Sequence, residues 1–167
     1  TVIDDIDENQ PIEESTRLDV GLCNAPEIRT DRVASLASKV AILPEVRTNL
    51  LTLQRNFAND PPHGNGAVLD GRDIGSVVVP ETPIKFFIDA KLEVRAERRF
   101  KELLHAGQSV MFRNVLADMR ERDQRDRTRS VAPLRAADGA KIIDTSTMDA
   151  EKVFAVALDH VKHIVGT

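Results

Sequence analysis

The residues best suited to chemistry form a glycine-flanked turn, Leu69-Asp70-Gly71-Arg72-Asp73-Ile74-Gly75. It follows the apolar run 67–69, which we predict to be a short buried strand. Asp70 is placed to hold Mg²⁺ through water, because Mg²⁺ takes one or two carboxylates and keeps several waters. Arg72 is placed to clamp an anion, and Gly71 and Gly75 allow positive φ and let a ligand approach the backbone. The alternative is an ordinary type I turn in which these residues have routine roles.

An arginine-rich segment at residues 120–129 continues an apolar stripe. Helical spacing of four, three, four and three residues puts five side chains on one face: Val115, Met119, Arg122, Asp126 and Arg129. We expect the charged end to border a polar cavity, where Arg122 and Arg129 hold a phosphate and a base edge and Asp126 accepts from an exocyclic amine. The alternative is a frayed helix end with surface ion pairs, each worth about 0–1 kcal/mol.

A second row of arginines, Arg95, Arg98 and Arg99, occupies one helix face. Such a row can cover transferring phosphates and stabilise the charge of a phosphoryl-transfer transition state. The alternative is pairing with neighbouring acids of the same helix, Glu93, Glu97 and Glu102.

Apolar periodicity predicts helices and strands in alternation. We expect helices after the cap pair Thr30-Asp31, from Pro44, over Leu92–His105 up to Gly107, from about Ser109 into the arginine-rich segment, and over Met148–Ile164 with Asp149 as a cap. Strands are expected at 67–69, Pro83–Ala90 and Lys141–Asp144. This order predicts an α/β fold with a parallel sheet flanked by helices.

Ligands of such sheets bind beyond the carboxyl ends of the strands, where Asp70, Asp89 and Asp144 are expected to lie. For Asp89 and Asp144 we favour local capping of the next helix or turn.

The composition limits the possible function classes. The 167 residues suit one domain and carry a net charge of −4, which argues against a nucleic-acid coat protein. No apolar run approaches the roughly 20 residues that span a membrane. With one cysteine, Cys23, no internal disulfide is possible, and a reducing cytoplasm is expected. Residues 1 to 17 hold six acids and one arginine, and we expect the beginning of the chain to be a loop or weakly ordered.

Several separated segments resemble, in order and spacing, the bacterial cytidylate kinases. They are IRT at 28–30, ASKVA at 37–41, PEVR at 44–47, LDGRDIGSVVVP at 69–80, RERDQRDRTRSVAPL at 120–134 and DTS at 144–146. The likeness covers about residues 28–164. It implies a P-loop fold with an inserted nucleotide-monophosphate-binding domain and a mobile lid, which transfers a phosphoryl group from ATP to CMP or dCMP with Mg²⁺.

The resemblance also implies roles for individual residues. Ser38, Arg47, Arg72 and Asp73 would meet the sugar or phosphate of CMP, and Arg122, Asp126 and Arg129 would read cytosine and hold the monophosphate. Asp70 would support Mg²⁺, and Arg98 would reach ATP phosphates from the lid, with Arg99 beside it. We expect residues 1–27 to be a remnant of the N-terminal region and 28–167 to be one core, with monophosphate-binding helices at about 28–58 and the lid at about 95–130.

The chain departs from the family in one respect, because no Walker A pattern, Gly-x-x-x-x-Gly-Lys-[Ser/Thr], occurs in it. The first strand, that loop and the first helix, on the order of 50–60 residues, are expected to be missing. If this is the whole polypeptide, we expect negligible kinase activity. The alternatives are a CMP-binding module or an inactive fragment, and last a nucleic-acid binder, which the lack of Trp and Tyr disfavours. Nucleotides are the expected partners of a monomer that binds no membrane.

Overall fold

Six α-helices, one π-helical turn and two strands are formed by the residues that the computed structural model describes. These are residues 9–18, 21, 25, 28, 30–41, 43–64, 66–128 and 130–166. The chain divides into two units, residues 1–69 and 70–167.

The first unit contains three helices, α1 (Asn9–Ser15), α2 (Asp31–Val40) and α3 (Pro44–Asn59). α2 begins where predicted, because the Thr30 hydroxyl accepts a hydrogen bond from the Val33 amide at 3.3 Å. α3 begins at Pro44, whose missing amide hydrogen costs nothing in the first turn. Val46 of α3 is buried.

Helix α1 differs from the loop expected at the beginning of the chain. It packs on α3, and its last residue, Ser15, is buried. The Ser15 hydroxyl donates to the Ile12 carbonyl at 2.6 Å and accepts from the Asn49 amide of α3 at 2.9 Å. A contact with a residue 34 positions away stabilises this helix. A contact so distant in the sequence produces no local apolar periodicity from which the helix could be predicted.

The second unit is built on a parallel pair of strands, β1 (Phe86–Asp89) and β2 (Lys141–Asp144). Phe86 lies opposite Lys141 and Asp89 opposite Asp144. The Thr145 amide donates to the Asp89 carbonyl at 2.8 Å and extends the ladder by one bond. The bounds predicted for β2 are confirmed, and β1 lies towards the end of the predicted Pro83–Ala90 strand.

Helices flank this sheet. α4 (Leu92–His105) and α5 (Phe112–Thr128) connect the strands and pack on each other, with the rings of Phe100 and Phe112 edge to face at 5.8 Å. α6 (Ala150–Val165) begins at Asp149, whose carboxylate accepts from the Lys152 amide at 2.8 Å, as predicted. The predicted α/β fold, a parallel sheet flanked by helices, is confirmed.

Two predictions, one about residues 67–69 and one about the beginning of α5, were wrong in detail. Residues 67–69 form no strand, and Val68 is 96% exposed. A strand requires a neighbour for its backbone groups, and within the described residues the ladder consists of β1 and β2 alone. α5 begins at Phe112, three residues after the expected Ser109.

Within the described part of the chain, no helix has the length and apolar content needed to cross a membrane.

The core of the second unit can be tested on β2, where neighbouring isoleucines differ in burial. Ile143 is 3% exposed and Ile142 is 62% exposed. Ile143→Ala should lower the free energy of unfolding by about 2–5 kcal/mol, because it removes buried methyl groups and leaves a cavity. Ile142→Ala is the matched control and should cost about 0.5 kcal/mol or less. Urea unfolding followed by circular dichroism measures both, and equal losses would contradict this placement of the core.

Candidate functional site

The glycine-flanked turn leads into a single π-helical turn, Ile74–Val78. The Val79 amide donates to the Ile74 carbonyl at 2.9 Å, and Val78 is 2% exposed. π-helical turns are rare and are often found at functional sites. Here the turn is held by a buried side chain, so that the preceding Asp70 and Arg72 remain at the surface.

Gly71 and Gly75 do not adopt the positive φ that glycine allows. Among the described glycines, positive φ occurs at Gly64, Gly107, Gly139 and Gly166. A Cβ at Gly71 would lie 2.9 Å from Cγ1 of Ile74, and one at Gly75 would lie 3.1 Å from Cδ of Lys85. The side chains of Ile74 and Lys85 therefore explain these glycines by close packing, whereas the motif had suggested a special backbone conformation.

The structure joins this turn to the end of α5. Arg72 Nε donates to Asp126 Oδ2, although the two residues are 54 positions apart. The Asp126 side chain is 13% exposed and that of Arg72 is 41% exposed. The Leu134 amide donates to the Asp126 carbonyl at 2.8 Å. Asp126 is thus fixed through both its backbone and its carboxylate, as an aspartate that orients a ligand needs to be.

Arg122 lies beside this pair with an excess of positive charge around it. Burial is the largest cause that lowers the pKa of its guanidinium, and the charge of Arg72 lowers it further, while Asp126 opposes the change. The group stays protonated at neutral pH. The Arg122 guanidinium makes no hydrogen bond or ion pair within the described residues. Arg122 is exposed, so water solvates its guanidinium, and an anion bound there would add charge-assisted hydrogen bonds.

Arg95 crosses from α4 to α5 and binds Asp123. Its NH1 and NH2 groups donate to the two carboxylate oxygens at 2.9 and 2.6 Å, and its Nε donates to the Ala90 carbonyl at 2.8 Å. The hydrogen bonds from Arg95 are the main cause that lowers the pKa of Asp123, and the same bonds raise the pKa of Arg95. The pair joins the end of β1 to both helices.

Arg98, predicted to contact ATP phosphates, binds the loop after β2. It donates to the Thr145 hydroxyl at 3.0 Å and to the carbonyls of Thr145 and Met148 at 2.6 and 3.1 Å. Arg99 pairs with Glu102 at 3.2 Å, which is the alternative that its spacing allowed.

The predicted site residues are only partly brought together. Arg72, Arg122 and Asp126 form one group, which we call the acceptor cluster, and Asp70 and Asp73 lie in the turn that carries Arg72. Ser38 and Arg47 belong to the first unit, where the Arg47 guanidinium donates to the Ala41 carbonyl at 3.4 Å. The Ser38 side chain and all of Arg129 lie outside the described residues.

Asp144 has the local capping role that we favoured, whereas Asp89 does not cap α4, whose N-cap residue is Lys91. The Asp144 carboxylate accepts from the amide and the hydroxyl of Ser146, and these bonds lower its pKa. The Asp89 carboxylate accepts from the Ala90 amide at 2.8 Å and lies 3.8 Å from the Arg127 guanidinium.

Sequence reasoning missed the pairing of Asp123 with Arg95 and that of Thr145 with Arg98. Asp123 is one of several acids between arginines, so nothing local distinguishes it. Only the packing of α4 on α5 brings it to Arg95, 28 positions earlier.

The known proteins to which this chain is similar point to one family. A sequence model of cytidylate kinase matches residues 12–163. The cytidylate kinase of Paramagnetospirillum magneticum is 56% identical over 134 residues, 80% of this chain and 64% of that protein. The cytidylate kinase of Rhodospirillum rubrum is 53% identical over 137 residues, 81% of this chain and 64% of that protein.

A further relative, the cytidylate kinase of Azorhizobium caulinodans, is 46% identical over 160 residues, 96% of this chain and 76% of that protein. The match therefore extends over nearly the whole chain, while the chain spans under two thirds of the length of the first two relatives.

The lowered pKa of Asp123 predicts a pH dependence. A carboxylate with a depressed pKa stabilises the fold above its ordinary value of about 3.9, and this contribution is lost as the pH falls through the lower folded value. Asp123→Asn should cost about 1–2 kcal/mol at neutral pH. Below about pH 4 the difference between wild type and variant should shrink towards zero. Urea unfolding from neutral pH down to about pH 2 measures it, and a constant difference would contradict the assignment.

Proposed function

This chain belongs to the cytidylate kinase family, and from that premise we propose that the protein transfers the γ-phosphoryl group of ATP to CMP or dCMP. The observation that supports this proposal at the level of individual residues is the acceptor cluster, in which Arg72, Arg122 and Asp126 lie together. These are the residues expected to hold CMP.

The charges of the cluster fit a nucleoside monophosphate. The pKa of Arg122 is lowered first by burial and then by the charge of Arg72, and a phosphate bound between the two guanidinium groups would relieve their mutual repulsion. Guanidinium groups bind phosphate with short, charge-assisted hydrogen bonds. We therefore assign the phosphate end of CMP to Arg72 and Arg122.

Asp126 fits the base end. One oxygen, Oδ2, accepts from Arg72, while Oδ1 makes no hydrogen bond within the described residues. A buried carboxylate with one open acceptor favours an amine donor, such as the exocyclic amine of cytosine, over a carbonyl at the same place. We assign discrimination of cytosine against uracil to this oxygen, and we assign Arg129 to the same surface by family likeness.

The remaining roles complete the proposal. Asp70 is exposed and makes no hydrogen bond or ion pair within the described residues, and this suits a Mg²⁺ ion that keeps most of its water. When bound, Mg²⁺ would neutralise charge on the ATP phosphates. By family likeness alone, Asp73, Ser38 and Arg47 are proposed to contact CMP. Residues 28–58 would form the monophosphate-binding helices and about 95–130 the lid, in a cytoplasmic monomer.

The phosphoryl transfer itself needs positioning more than covalent chemistry from the protein. Arginine clamps hold the acceptor phosphate in line with the donor and offset the charge of the transition state. Arg98 and Arg99 are proposed for the ATP side. Arg98 has to exchange its bonds to Thr145 and Met148 for phosphate oxygens to act there.

Arg122→Ala tests the phosphate assignment. It removes a charged donor from CMP, so calorimetric titration of this chain should give a CMP dissociation constant roughly 10–100 times higher. Arg113→Ala, which changes an exposed arginine of the same helix, is the matched control and should bind CMP like the wild type. Equal affinities of the Arg122 variant and the wild type would remove that residue from the site.

A coupled ATP/CMP assay, on this chain and on the protein at the length of its relatives, tests the activity. Turnover with CMP and dCMP, and with UMP or AMP far less, is expected. Turnover with AMP or UMP but not CMP would overturn the substrate assignment. Calorimetric binding of CMP without ATP, and without turnover at either length, would indicate a CMP-binding module.

A further inference from the structure

The second half of α5 carries two members of the acceptor cluster, Arg122 and Asp126, but contains no buried apolar residue among those described. Val115 is the one buried apolar residue among those described in this helix, and every residue from Arg120 to Thr128 is polar or charged. Polar contacts therefore have to set the position of this part of the helix. Those described are Arg72 with Asp126, Leu134 with Asp126, Arg95 with Asp123, and a longer contact of Arg127 with Asp89.

The contact of Arg95 with Asp123 differs from the others because Arg95 is also hydrogen-bonded to the residue that directly follows β1. Arg95 uses Nε, NH1 and NH2 together, so its fork has a single orientation. Its Nε bond ends on Ala90, a buried residue directly after β1. The carboxylate of Asp123 is thereby held at a fixed distance from the end of the sheet.

A change in the position of Asp123 would also move Arg122 and Asp126. Asp123 follows Arg122 directly and precedes Asp126 by three residues, which is less than one helical turn. A shift of α5 along its axis by one residue displaces both side chains by about 1.5 Å. When groups that bind a reacting substrate are misplaced by about 1 Å, the reaction rate can fall by a factor of about 100.

We propose that Arg95 and Asp123 are positioning residues, which set the place of Arg122 and Asp126 relative to the end of β1 without touching the nucleotide. This inference rests on the proposed function for its ligand, CMP, but its structural part is independent of any ligand. Arg95 thus supports the residues that are proposed to bind CMP. The sequence had suggested a different role, in which Arg95, Arg98 and Arg99 cover the transferring phosphates.

The test compares Arg95→Lys and Asp123→Asn with Glu97→Gln. Lys keeps the positive charge but cannot form the fork or reach Ala90 in the same way. Glu97→Gln breaks the exposed ion pair of Glu97 with Lys101 on the same helix, at 2.8 Å, and is the matched control. Circular dichroism first sets a temperature at which all four proteins are folded.

Calorimetric titration with CMP is the first measurement. Both Arg95→Lys and Asp123→Asn should raise the dissociation constant about tenfold, and Glu97→Gln should leave it unchanged. Asp123→Asn is informative because it removes a negative charge near the site, and Coulomb attraction alone would then tighten the binding of an anionic nucleotide. Unchanged or tighter binding by both variants would overturn the inference.

The second measurement needs no nucleotide. The Arg72 Nε–Hε signal in a ¹H–¹⁵N spectrum reports the bond to Asp126. It should shift or broaden in Arg95→Lys and in Asp123→Asn, and it should be unchanged in Glu97→Gln. If the wild type does not bind CMP, the proposed function fails for this chain, and this signal alone decides the inference: a signal that stays unmoved in both variants overturns it.

Discussion

A single guanidinium group, that of Arg95, fixes the arrangement on which the candidate site depends. The second half of α5, from Arg120 to Thr128, has the residues for binding an anionic, polar ligand but none for apolar packing, because a face that receives such a ligand cannot also be apolar. The fold resolves this conflict by fastening the helix to the end of β1 through hydrogen bonds to Asp123 and Ala90. A bidentate ion pair between the two helices, about one quarter exposed, replaces the apolar contacts that usually hold a helix in place.

Arg98, three residues after Arg95 in α4, makes a second set of contacts that holds the sheet. Arg98 binds Thr145, which is itself buried and donates through its amide and hydroxyl to the Asp89 carbonyl. Two arginines less than one helical turn apart therefore hold the regions that follow β1 and β2. The carboxyl ends of parallel strands are where ligands bind, and here both ends are held by the same helix.

The sequence predicts the regular parts of this protein well, because periodicity and caps are local. Thr30, Pro44 and Asp149 each begin a helix where expected, and β2 has the predicted bounds. The grouping of Arg72 with Asp126 came from family likeness, since the two are 54 positions apart. The roles of Gly71 and Asp123 could not be predicted, because each depends on a neighbour that only the folded chain supplies.

The parallel pairing of β1 with β2 also has a kinetic consequence. Each bond of that ladder joins residues separated by the whole of α4 and α5, so a large loop must close before any of them forms. Helices and the contact between α4 and α5 are local by comparison and form on a faster timescale. During synthesis, α4 and α5 would be able to pair before β2 has left the ribosome, and the contacts of Arg98 with Thr145 would form only after that.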